Sequence, residues 1–143
     1  MAGSGSDFTD ITAVAGADYS TLGQYRFVRS TGVDTTYSGG NLTAVLCVNA
    51  TGGITRPKGI LQNDPSSGQA AVVRTQGPSK LVAGEAIAVG DFISSSTAGA
   101  GLVAGTTGEW GCAIAESAST AAGQIINVRM LNPGLFYSAG GTA

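Results

Sequence analysis

The chain has 143 residues, enough for one domain with a real core, since a domain of this size buries about 68 to 70% of its unfolded surface. Charged residues make up only 11% of it, against about 25% in ordinary globular proteins, and glycine supplies 23 positions, so small uncharged side chains must cover much of the exterior. A formal net charge of -2 with scattered basic residues argues against direct nucleic-acid binding, no run approaches the roughly 18 apolar residues of a bilayer span, and the absence of histidine removes Ser-His-Asp and Cys-His catalysis together with the commonest zinc ligand.

Residues 1–22 read as an N-terminal arm. A Gly/Ser-rich start is followed by Phe8, Ile11, Val14, Tyr19 and Leu22 set among small and polar residues. The first three fit a helical face, but β-branched neighbours and Gly16 favour an extended or irregular course. Ordering about 20 residues costs on the order of 20 to 40 kcal/mol, whereas burying those five side chains returns about 8 to 15. Main-chain hydrogen bonds, as when a peptide adds to a sheet edge, must supply the difference. Residues 1–10 lack the basic start and apolar run of a signal peptide, which leads us to expect a protein made and initially kept in the cytoplasm.

From residue 23 to 131 the chain breaks into short apolar runs punctuated by Gly, Asn, Asp, Pro and Ser, the pattern of an all-β domain. Strands are predicted at 23–30, 41–48, 58–62, 69–76, 79–82, 90–94, 101–103, 110–117 and 124–131. Alternation supports them: Tyr25 with Phe27; Leu42, Ala44, Leu46 and Val48; Trp110, Cys112 and Ile114; Ile126, Val128 and Met130. The Ala-rich stretches 83–89 and 113–122 allow at most one short helix. Asn132-Pro133-Gly134 reads as the end of the last strand, because proline cannot donate to a ladder and glycine permits a reversal. The tail, 132–143, carries Leu135, Phe136 and Tyr137, which either fold back on the core or dock on another subunit. Leu81-Val82-Ala83-Gly84 recurs as Leu102-Val103-Ala104-Gly105, an echo too short for a solenoid.

Nothing in the spacing predicts a catalytic centre, a metal site or a cofactor. The acidic residues are single, and Asp34, Asp64 and Asp91 suit turn capping. The run Gly99-Ala100-Gly101-Leu102-Val103-Ala104-Gly105 misses the dinucleotide spacing and lacks a strand-turn-helix setting. Cys47 and Cys112 lie in apolar strand-like runs, as small core residues or as a disulfide pair. Arg56-Pro57-Lys58 is the one basic cluster, either a solvated turn or a contact for an acidic partner. A low-charge surface suits a protein covered by its neighbours, since burying an unpaired charge is costly; a Ser/Thr-faced extracellular β-protein is the alternative.

The segments KGILQNDPSSGQAAVVRTQGPSKLVAGEAIAVGDFISSSTAGAGLVAG and WGCAIAESASTAAGQIINVRML, between 58 and 131, carry a recognisable order of elements. A GILQ turn (59–62), a small-residue segment running into a GQAAVV strand (68–73), an AIAVGD turn (86–91), a GCAIAE strand (111–116) and a closing GQIINV strand (123–128) follow one another. In that order they resemble the capsid cement, or head decoration, proteins of tailed bacteriophages, over about half of the chain. The resemblance implies a small antiparallel β-barrel or tulip-like domain with an extended N-terminal arm. It implies a homotrimer at three-fold and quasi-three-fold junctions on the outside of an icosahedral head, assembled in the host cytoplasm and carried on the virion, with the arm lying on the major capsid protein. It implies no enzymatic activity, no direct contact with nucleic acid and no membrane. Capsid or trimer contacts would then fall on Phe8, Ile11, Val14, Tyr19, Leu22, Arg56, Lys58, Leu135, Phe136 and Tyr137. A surface-exposed β-rich binding or adhesion module, for instance a carbohydrate binder, is the competing expectation.

Overall fold

The computed structural model describes residues 8–33, 42–46, 57–105 and 109–136, and among them there are strands and turns but no helix. Nine strands follow in order: β1 (Thr9–Ala15), β2 (Phe27–Val33), β3 (Leu42–Leu46), β4 (Gly59–Leu61), β5 (Ala70–Val82), β6 (Phe92–Ser95), β7 (Gly101–Val103), β8 (Trp110–Ala115) and β9 (Ile125–Phe136). The first five close into a barrel, β1-β3-β2-β4-β5, with β5 pairing back onto β1. The remaining strands continue from β5 in the order β9-β8-β6-β7. Among the described strands all pairings are antiparallel except that of β1 with β3, which is parallel (Val14↔Thr43, Ala15↔Ala44), a departure from the antiparallel barrel expected.

Long β5 joins the two halves. Two separate strands, 69–76 and 79–82, were expected there, because Gly77-Pro78 looks like a break. Instead the strand runs through, with odd-numbered residues from Ala71 to Leu81 buried. Proline is tolerated here because the ladder changes partners at this point: Ala70 to Gln76 pair with β1, whereas Gly77 to Val82 pair with β9. The φ of 100° at Gly77, open to glycine and costly for other residues, lets the strand leave one sheet for the other.

Each half has its own core. Ala13, Ala15, Tyr19, Val28, Ala44, Leu61, Ala71 and Val73 fill the barrel, and half-buried Ile11 packs against them. Phe27, Ile60, Leu81, Ile87, Ile93, Cys112, Ile126, Val128 and Met130, with three alanines, form the other core. The shared wall is visible residue by residue: on β2, Phe27 serves one core and Val28 the other, and on β4, Ile60 and Leu61 divide the same way. The first copy of the sequence echo meets the residue just before the second: Ala83 bridges Gly101, and the Gly84 N–H donates to the Gly101 carbonyl at 2.7 Å.

Two boundaries differ from expectation. Residues 9–15 of the arm are strand β1, so the added strand completes this chain's own barrel, and the main-chain bonds that the arm needs come from β5 and β3. The last strand does not stop at 131: β9 runs on through Pro133 to Phe136, and Gly111 and Trp110 pair with Leu135 and Phe136. Residues 131–134 stand opposite Cys112 alone, so Asn132-Pro133-Gly134 forms a bulge, where a missing N–H costs no ladder bond. On β8 the shift in register also changes the inward face: Ala113 and Ala115 enter the core, while Ile114 is half-buried.

Candidate binding groove and exposed surface

Even-numbered residues of β5 face outward, and three of them, Arg74, Pro78 and Lys80, line an open groove of about 810 Å³ together with Ser79. Phe8, just before β1, stands over Arg74, with the guanidinium 4.0 Å from the ring centroid. Arg74 also donates to both Asp10 carboxylate oxygens, at 2.8 and 3.1 Å, and to the Pro78 carbonyl at 2.8 Å. One arginine thus fastens the start of β1 to the point where β5 changes sheets. Bidentate geometry and partial burial, with the two side chains 18% and 25% exposed, place this pair above an ordinary surface ion pair.

Tyr25 contributes the second ring. Its φ of 62° makes it the only non-glycine residue with positive φ among the described residues, held there by its N–H to the Leu61 carbonyl (2.7 Å) and by its carbonyl accepting from Val82 N–H (2.8 Å). The Lys80 ammonium lies 5.8 Å from the ring centroid. Gln62 completes this side, donating to the Ile60 carbonyl and to Ser79 Oγ. Glu116, paired with Arg129 at 3.3 Å, and exposed Asn127 line the groove from the β8–β9 side.

The residues named from sequence distribute unevenly. Phe8 (44% exposed) and Leu22 (56%) are open to a partner. Val14 and Tyr19 are corrected: at 9% and 6% exposure they are buried within this chain, because β1 and the following turn fold onto its own barrel, and they leave a partner little surface. Ile11 is half-buried against the barrel core, beside Lys58 and Arg29. Lys58 is exposed, its N–H bonded to the Val28 carbonyl. The backbones of Leu135 and Phe136 fold back into β9, while Arg56 and Tyr137 lie outside the described residues, as does Cys47. Cys112 is a core residue at 1% exposure. Asp91 caps a turn through the Ala88 N–H, as its position suggested; Asp34 lies outside the described residues.

Sequence reasoning missed Ile125, which is 55% exposed and borders the same depression of about 310 Å³ as Leu22. Two large apolar residues 103 positions apart (125 − 22) line it together, with Arg26 and Asp64 among their neighbours. Among the described residues no three His, Cys, Asp or Glu side chains converge as a metal site would require.

The fold is similar to that of the N base of head fiber gp8.5 in bacteriophage phi29, with a TM-score of 0.64 over 91% of this chain and 99% of that one, at 17% sequence identity. At that identity the likeness is one of fold. No family model matches the sequence, and no curated protein matches it.

Proposed function

We propose that the chain is a structural protein of a tailed-phage head, which binds the outside of the shell at three-fold and quasi-three-fold junctions as a homotrimer and holds its subunits together against internal DNA pressure. The observation that carries this reading is the shared fold with a phage head fiber base over nearly the whole of both chains. The order of motifs between 58 and 131, which resembles capsid cement proteins, points the same way, and so does a chain with only 11% charged residues. The exposed Leu22–Ile125 patch is the surface we assign to contact with other subunits, with Lys58 and the 135–137 segment as further contacts of the trimer or shell. Burying Leu22 and Ile125 removes apolar surface from water, while Arg26 and Asp64 at the same depression would stay at the polar rim of the contact.

Binding that favours the expanded shell stabilises that state by linkage, and repetition over many junctions multiplies a modest affinity. The reading is non-enzymatic. Its test is sedimentation with purified heads, combined with the mass of the free protein. The expected result is a trimer in solution that pellets with expanded heads, and that pellets less when Leu22→Asp and Ile125→Asp are introduced together. A monomer that stays in the supernatant with every head preparation would overturn it.

A further inference from the structure

The groove along the outer face of β5 adjoins the Leu22–Ile125 depression, with Tyr25 lining both, and its chemistry is mixed. Two aromatic rings, Phe8 and Tyr25, line it, each with a cation over one face. Such a ring keeps its other face for a partner rich in C–H bonds, which is how flat apolar rings meet the faces of sugar rings. The Arg74 charge is answered by Asp10 and the Glu116 charge by Arg129, whereas Lys80 has no carboxylate within 4.0 Å among the described residues. Gln62 spends its amide hydrogens on Ile60 and Ser79, which leaves its carbonyl oxygen as an acceptor, and exposed Asn127 offers both donor and acceptor. Tyr25 holds its place through a backbone conformation that residues other than glycine rarely adopt, and such conformations gather where a side chain must be aimed.

We propose that this groove binds an acidic oligosaccharide, a chain of sugar rings bearing carboxylates. The sugar faces pack on Phe8 and Tyr25, hydroxyls bond to Gln62 and Asn127, and a carboxylate meets Lys80. β5 presents this groove with its side-chain face. Both its edges at 73 and 74 are taken by β1 and β4, and residues 77–82 pair with β9, which disfavours the strand addition by which extended peptides usually dock.

The test is titration of the full chain with linear tetragalacturonate, neutral maltotetraose and tetraglutamate, followed by amide chemical shifts. Tetragalacturonate is expected to move the resonances of Tyr25, Gln62, Lys80 and Asn127, and to bind more tightly than maltotetraose. Lys80→Gln, at an exposed position, should weaken that binding about fivefold with an unchanged melting temperature, and Asn127→Ala should weaken it as well. Three results would each overturn the proposal: no shifts with millimolar tetragalacturonate, binding indifferent to Lys80→Gln, or tetraglutamate binding as tightly, which would assign the groove to acidic peptides.

Discussion

The two cores of this molecule are built on different plans. The barrel is filled by four alanines with Val28, Leu61, Val73 and Tyr19, while the core beyond β5 holds Phe27, Ile60, Leu81, Ile87, Ile93, Ile126, Val128 and Met130. Small side chains let five strands close tightly, so the barrel depends on main-chain closure and on the N-terminal strand that completes it. The second core depends on apolar area removed from water. One long strand, β5, serves both, which couples two unlike sources of stability.

The largest effect should come from the apolar core. Phe27→Ala, at a fully buried position, should cost about 3 to 5 kcal/mol, read as a lower denaturant midpoint with the groove residues still in place. A loss no greater than that of an exposed substitution would erase the distinction between the two cores. Barrel tightness is probed by Gly59→Ala. A Cβ at this position would collide with the Arg74 carbonyl oxygen, so β4 and β5 must move apart, at about 1 to 3 kcal/mol.

Smaller effects sharpen the role of β1. Asp10→Asn removes the charge that Arg74 grips, and should cost about 1 kcal/mol while speeding hydrogen exchange in β1 before any other strand. Uniform acceleration over all strands would mean that β1 is not separately fastened. The smallest effect concerns Asp18, which is fully exposed and whose carboxyl is held below its usual range by hydrogen bonds from Ser20. A lowered folded-state pKa stabilises above the unfolded value, and that contribution is lost as pH falls through the folded one. Asp18→Asn should therefore lower stability slightly at neutral pH, where the contribution is fully present, and flatten the curve below about pH 4, where wild type and variant converge.

The all-β class and most strand positions were legible because alternation is local: Ile126, Val128 and Met130 share a buried face as their spacing says. What was not legible depends on partners distant in sequence. Thr9–Ala15 reads as an arm since nothing near it shows that β5 and β3 will flank it. Gly77-Pro78 and Asn132-Pro133-Gly134 read as terminators because proline's missing donor matters only where a neighbour needs it. In the structure they fall at a change of partner and in a bulge. The groove was invisible for the same reason, since residues 8, 25, 62, 74, 80 and 127 are gathered by register alone. Leu22 is named from sequence as a contact residue of the arm, but its companion Ile125 sits at the start of a strand whose alternating face is otherwise buried at Ile126.

The proposed role in a phage head is tested most directly on filled heads. Particles assembled with and without this chain can be heated while DNA release is followed by dye fluorescence. The account predicts release at a lower temperature from heads that lack it, restored when the purified protein is added back. Identical release curves for the two kinds of particle would contradict it.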